Sequence, residues 1–515
     1  MRRLSISASH IFKSIIRRTV LLIPAVICLA GVAPSTAAAS SGGGPDFAAI
    51  DSYVSKSLAG TLGFALSIVH GDQVVHAKGF GVADANGSPV TADTPFVLGS
   101  ESKPITALGI MQLKESGALD LDMPVQRYLP WFRVADPGYS AQITIRQLLN
   151  QTSGLPPSAP FETSVTSVES RVRDLANVML PAAPGRLYQY SNSNYDALGL
   201  VIETVSGQSY ADYMQEHVFA PLGMTHTYAS EAQAKHNGLA TGHQWWFGLP
   251  ITLDNYRSDY IPAGWIVSSA ADMSHYLIAQ LNGGSYAGVQ VLSAQGIAEM
   301  HRGDAKDGNR SFGLGWYDDT VSGIPVVFKD GEAVTFHTDM ILVPGTGWGV
   351  ELIAGSSSLP AANSINATAE GVVLMLAGRT APFTLSPLST YVVFDLLVIA
   401  LVGFQLWSLI RILRKPVQPA RATSVRILRY MIAPLAWRLA LAIAALGFTF
   451  VIFGGMLGIS PGLMAETDVG SSLIVVSVLM LVNGGLRTAR AYLSIRPRSI
   501  APVAAVPAAL QEAAS

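Results

Sequence analysis

The chain has 515 residues, a formal net charge of −2, only 13% charged residues and one cysteine. A soluble domain carries about 25% charged residues, so a mean hydropathy of +0.36 places part of this chain in lipid. The charge balance argues against a nucleic-acid partner, and the lone Cys28 excludes an intrachain disulfide and a cysteine-based metal site.

Residues 1–39 read as an export signal: Arg2, Arg3, Lys13, Arg17 and Arg18 form a basic start, residues 19–33 an apolar run, and Ala37-Ala38-Ala39 a cleavage site. A retained anchor is the alternative, though the run is short for a bilayer. Residues 45–58 predict a helix with Phe47, Ile50, Val54 and Leu58 on one face. Residues 64–69 and 74–80 predict two strands joined at Gly71-Asp72. An apolar run then ends at Gly99-Ser100, and a helix is expected from there to about Ser116. Residues 143–149 predict a short helix before Thr152-Ser153-Gly154-Leu155, and 157–182 a surface excursion. Tyr190-Ser191-Asn192 opens a helix running through Val205. The aromatic stretch 208–260 fits either a cleft lining or an ordinary surface layer. A helix from near Ser269, strands over 313–317, 325–328, 334–343 and 348–354, and a closing helix over 361–377 complete an α+β domain at 40–385 whose ends share one sheet.

Three apolar runs follow, at 391–413, 439–457 and 472–486, predicting a membrane domain at 390–490 with three transmembrane helices and a tail at 491–515. Arg411, Arg414, Lys415, Arg421, Arg426 and Arg429 lie between the first and second; Arg487, Arg490, Arg496 and Arg498 follow the third. The positive-inside rule makes both basic segments cytoplasmic and the large domain extracytoplasmic, on a multi-pass protein of the cell membrane. Asp395, within the first run, is either a functional residue or one near the outer interface.

Ser100 and Lys103 are three residues apart, so a helix starting between them puts both on one face. A serine hydroxyl needs a base, and burial or a second positive charge turns an ammonium into one. By itself the pair fits an N-cap serine beside a solvated lysine better than a catalytic pair.

The ordered set is more specific. Gly99-Ser100-x-x-Lys103, Thr152-Ser153-Gly154-Leu155, Tyr190-Ser191-Asn192, Pro262-Ala263-Gly264 and Gly313-Leu314-Gly315-Trp316 occur in this order. Together they resemble the serine β-lactamase and penicillin-binding-protein-like superfamily, closest to its class C and esterase branch, over roughly residues 45–380. That family has an antiparallel sheet flanked by helices plus an all-helical subdomain. Its Lys-Thr-Gly element matches Lys329-Asp330-Gly331, which follows an apolar strand; Lys306-Asp307-Gly308 and His301-Arg302-Gly303 precede Gly313-Leu314-Gly315-Trp316 and fit less well.

The resemblance implies that Ser100 forms an acyl-enzyme with Lys103 and Tyr190 against it. Either can be the base; neighbouring positive charge would favour Tyr190. Asn192 would bind substrate or Lys103, Lys329 would supply positive potential, and the N–H groups of Ser100 and Glu332, with Gly331 between close backbones, would form an oxyanion hole. No metal or organic cofactor is required. Asp330 stands where β-lactamases have a threonine, and Glu332 adds a second acid. If their shared face meets the pocket, an ester or neutral amide is preferred over an anion. Gln151 replaces a histidine frequent in the esterase branch. The implied substrates are esters, D-amino-acid peptides, cell-wall peptides or, less readily, β-lactams. The alternative is a non-catalytic sensor or scaffold that binds a wall fragment. Oligomeric state is not legible.

Overall fold

The computed structural model describes residues 44–157, 167–253, 256–415 and 468–495, with 436, 438–441 and 443. The expected export signal, most of the second apolar run and the tail beyond 495 lie outside the described residues.

Helix α1 (Phe47–Ser57) begins where the Asp46 carboxylate accepts from the Ala49 N–H at 3.0 Å. Strands β1 (Gly63–His70) and β2 (Gln73–Gly81) make the expected hairpin. A single 3-10 turn (Gly99–Glu101) leads into α2 (Ser102–Glu115). Helix α3 (Asn192–Ser206) and a hairpin of β3 (His243–Trp246) and β4 (Leu249–Thr252) follow. Next come α4 (Ala270–Leu281), β5 (Ala305–Asp307), β6 (Arg310–Phe312), β7 (Tyr317–Val321), β8 (Ile324–Ala333), β9 (Phe336–Val343), β10 (Trp348–Ala354), β11 (Ser356–Ser357) and α5 (Leu359–Leu376).

Eight strands form one antiparallel sheet in the order β2-β1-β10-β9-β8-β7-β6-β5. β1 and β10 are neighbours, so the two ends of the domain share the sheet, as the sequence predicts. α1 and α5 cover one face, with Ile50, Val54, Ile365 and Val372 in that core. The helical layer, including α2, α3 and α4, packs on the other. β9 is buried along its whole length, as a strand covered on both faces must be.

Two expectations change. Residues 313–316 are not strand but the turn between β6 and β7. Gly315 has φ +94°, and a Cβ there would lie 2.7 Å from Pro104 Cα, so the chain crosses α2 where only glycine fits. The aromatic stretch 208–260 is not one wall. Tyr210 and Tyr213 are buried among the helices, whereas Trp245 stacks on Tyr391, beyond the sheet domain.

Two described helices are long and apolar enough to cross a membrane: α6 (Pro387–Arg414) and α7 (Asp468–Ile495). They lie side by side and parallel: Asn483 Nδ2 donates to Gln405 Oε1 at 3.0 Å, and Arg487 Nη2 donates to Ser408 Oγ at 2.8 Å. The described residues thus hold two such helices rather than three.

Candidate active site

Gly99 takes φ +55° to end its strand and start the turn, which exposes Ser100 at the N-terminus of α2. Lys103 follows one turn later and is fully buried. Its Nζ is 2.9 Å from Ser100 Oγ, 2.8 Å from Asn192 Oδ1 and 2.6 Å from the Ala263 carbonyl oxygen. The Tyr190 hydroxyl donates to Ser100 Oγ at 2.7 Å. One hydroxyl therefore meets both an amine and a phenol drawn from elements 87 residues apart or more in the chain. The structure brings Ser100, Lys103, Tyr190 and Asn192 into one hydrogen-bonded cluster.

Protonation follows from burial. Lys103 is driven well below its ordinary range by loss of water and then by the nearby Lys329 charge. As an ammonium Lys103 donates to Asn192, Ala263 and Ser100; on losing a proton it can keep the first two bonds and turn a lone pair to the Ser100 hydroxyl. Tyr190 goes the other way. Burial pushes the phenol up, and Asp330 adds to this, against the Ser100 hydrogen bond and Arg310. The expectation that neighbouring ammonium groups lower Tyr190 is therefore reversed: desolvation outweighs them. Burial also pushes Glu101 and Glu351, which sit behind the turn, well above the carboxylate range, with Glu351's charge adding for Glu101.

Lys329 and Gly331 point to the buried side of β8, and Asp330 and Glu332 are more exposed, in the expected alternation. The Lys329 ammonium lies 5.6 Å from the Tyr190 ring centroid and 5.5 Å from that of Tyr317. It bends back to Asp330, donating to Oδ1 at 3.0 Å and to the carbonyl at 2.5 Å. Burial would raise Asp330, but Lys329 and His337 hold it at about 2. The cation is thus internally neutralised. Glu332 accepts from Ser357 Oγ at 3.1 Å at the cleft edge. A Cβ on Gly331 would lie 1.9 Å from the Leu98 carbonyl, so this backbone touches the nucleophile turn directly. The rival elements lie elsewhere: Lys306 Nζ donates to Ser311 Oγ at 2.7 Å, and the His301 ring packs on Trp316 with centroids 5.2 Å apart.

Sequence reasoning missed two groups. Tyr188, Phe312 and Tyr317 form an aromatic wall around Tyr190 and Lys329; the Tyr188 and Tyr317 hydroxyls are 2.7 Å apart and Phe312 meets Tyr190 edge-on at 6.4 Å. Gln151 is the second, with φ +62°. Its carbonyl accepts from Gln189 N–H at 2.7 Å, and its side-chain Oε1 accepts from Ser191 N–H at 2.9 Å. Tyr190 is thus pinned on both sides by one residue. The signal was the departure from histidine already visible at that position. Gln151→Ala leaves the positive φ in place and removes only the amide. It is expected to lower kcat about tenfold with little change in KM, as a slightly misplaced phenol does; steady-state kinetics reads the split.

The fold and this Ser–Lys–Tyr cluster define a serine hydrolase of the β-lactamase and penicillin-binding type. The β-lactamase family profile matches residues 50–372, and the chain belongs to that family. Protein flp of Staphylococcus aureus is 30% identical over 302 residues, covering 58% of this chain and 60% of its own length. The chain thus spans about 60% of the length of this curated relative. The octameric penicillin-binding protein homologue from Pyrococcus abyssi superposes with TM-score 0.58 and 25% identity, over 65% of this chain and 78% of its own. A class C β-lactamase from Rhodobacter sphaeroides superposes with TM-score 0.54 and 25% identity, over 64% and 97%.

Proposed function

We propose that this chain is a membrane-tethered extracytoplasmic hydrolase of esters or uncharged amides that works through a Ser100 acyl-enzyme. The observation that carries it is the simultaneous approach of Lys103 Nζ and the Tyr190 hydroxyl to Ser100 Oγ, at 2.9 and 2.7 Å. Lys103, neutral by burial, takes the hydroxyl proton as the oxygen adds to the substrate carbonyl. The N–H groups of Ser100 and Glu332 receive the oxyanion. Tyr190, kept protonated, gives its proton to the departing alkoxide or amine and regains one from the Lys103 ammonium. Water then enters by the reverse route and releases the acid. A fluorophosphonate probe is expected to label Ser100 in the full chain and not its Ser100→Ala variant. An intact protein labelled nowhere sinks the proposal.

Substrate charge follows from the Lys329–Asp330 pair. A free ammonium would attract a substrate carboxylate, whereas this one already has a counter-ion. Asp330→Thr exposes the charge. A unit charge near a protein surface is worth about 1–4 kcal/mol at contact, so turnover of the anionic β-lactam nitrocefin is expected to rise about tenfold or more while that of p-nitrophenyl acetate does not.

The tether rests on α6 and α7. Because they run parallel, the last residue of α6 and the first residue of α7 lie at opposite ends of the pair. Arg411, Arg414, Arg487 and Arg490 gather at the end of the pair away from the domain, the arrangement expected of a cytoplasmic face.

A further inference from the structure

The β3–β4 hairpin has a composition that neither the cleft nor the core explains. Residues 243–253 contain no Asp, Glu, Lys or Arg. Leu249 and Ile251 on β4 and Leu253 just past it are 67%, 41% and 39% exposed, and among the described residues β4 pairs only with β3. An apolar edge strand left in water is an aggregation hazard, so something must cover it.

The hairpin is fastened to the entrance of the two apolar helices. Trp245 stacks on Tyr391 with centroids 5.3 Å apart, and Phe247 lies 6.5 Å from Phe394. The Phe247 N–H donates to Asp468 Oδ2 at 3.0 Å, at the first residue of α7. At the tip, Phe247 and Gly248 both have positive φ, and a Cβ on Gly248 would lie 3.3 Å from Asp395 Oδ2. The level of the bilayer can be set from the basic end. A hydrocarbon core about 30 Å thick takes about 20 helical residues; counted back from Arg411, that reaches Tyr391. Asp395 is one turn deeper, and the hairpin tip lies against it. Phe383, Leu385 and Leu388, 84%, 48% and 44% exposed, lead into the same level.

Resting on the reading of α6 and α7 as membrane spans, we infer that the β3–β4 hairpin is seated in the lipid interface of the domain-side leaflet, with Leu249 and its cross-strand partner Trp246 at the acyl boundary and Ile251, two residues farther from the tip, towards the headgroups. Tryptophan prefers that boundary, and apolar side chains there are stabilised as they are on an interfacial helix. The consequence is a cleft held at fixed height. β3 pairs in parallel with β11, Gln244 opposite Ser357, and Ser357 donates to Glu332 at the cleft edge. About 10 Å of strand separates Gln244 from the tip. A domain swinging on α6 alone would have no such register.

The test uses the full chain with Cys28→Ser, carrying Leu249→Cys or, as a control, Asp72→Cys. Asp72 lies beyond the end of β1 that is far from Gly60 and Leu388, where the domain meets α6. Each cysteine takes an environment-sensitive nitrobenzoxadiazole label. The labelled proteins are reconstituted in phosphatidylcholine vesicles with or without brominated acyl chains. The expected result is blue-shifted emission from position 249, quenched about twofold by brominated lipid as for a group 5–10 Å below the headgroups, and no quenching at position 72. Water-like, unquenched emission at 249 from protein that floats with the vesicles overturns the inference and leaves the tether standing. Protein that does not float with the vesicles overturns both. Shifted but unquenched emission, with disulfide cross-linking between copies of the unlabelled Leu249→Cys protein, assigns the strand to a second copy and also overturns it.

Discussion

Replacing Lys103 by methionine is expected to lower kcat/KM for p-nitrophenyl esters by about 10²–10⁴-fold, the range a general base supplies. Methionine keeps the length of the stem and loses the basic nitrogen with its N–H donors. It leaves the Asn192 and Ala263 acceptors without their donor, at about 1–3 kcal/mol each, so the unfolding midpoint must be shown to remain above the assay temperature. The pH profile makes the case specific. A base works only when deprotonated, and burial with the Lys329 charge lowers Lys103. Activity should therefore rise through an acidic limb set well below an ordinary lysine and then stay flat. No alkaline limb from Tyr190 is expected, since burial moves that phenol upward. Lys103→Met should erase the acidic limb along with the rate. A Lys103→Met enzyme that keeps the wild-type limb would show that another group is the base. A wild-type profile that falls near pH 10 would mean that Tyr190 loses its proton as an exposed phenol does, against the burial that keeps it protonated.

This assignment also marks where sequence reasoning stops. The motifs around Ser100, Tyr190 and Gly331 were legible because their chemistry is local: a nucleophile at a strand-to-helix turn, a lysine one turn on, a glycine where two backbones touch. That the two ends of the domain share one sheet followed from strands and a helix at both ends of a helical middle; the strand order did not. The protonation of Lys103 and Tyr190 was not legible, because it depends on water excluded by Asn192 and Tyr195, Ala263 and Phe312 from three separate segments. Nearby charge can be guessed from a motif; depth cannot. The 313–316 turn was missed for a similar reason. Gly-Leu-Gly-Trp-Tyr alternates like a strand, and only contact with Pro104 makes it a bend. The aromatic stretch 208–260 misled because its residues serve two unrelated contacts, the helical core and the entrance of α6.

Gly331→Ala tests the second contact in the proposed catalysis. The added methyl would fall 1.9 Å from the Leu98 carbonyl oxygen and 2.4 Å from Thr338 Oγ1. Neither can simply move. The Leu98 carbonyl accepts from Thr338 Oγ1 at 2.9 Å, and Thr338 sits opposite Gly331 in the β8–β9 ladder. β8 must therefore withdraw from the Gly99–Ser100 turn, taking the Glu332 N–H with it. Overpacking of this kind costs about 1–3 kcal/mol of stability, and loss of one oxyanion donor costs about 10²–10³-fold in kcat. Both are expected together: a lower unfolding midpoint in detergent, and a kcat down by about 10²-fold or more with the Lys103 acidic limb unmoved. That unmoved limb separates this defect from damage to the base. Gly345→Ala is the control, because a Cβ there meets nothing within 4 Å, and both rate and midpoint should stay near wild type. A Gly331→Ala enzyme with full kcat would mean that the Glu332 N–H never holds the oxyanion, whatever happens to its stability.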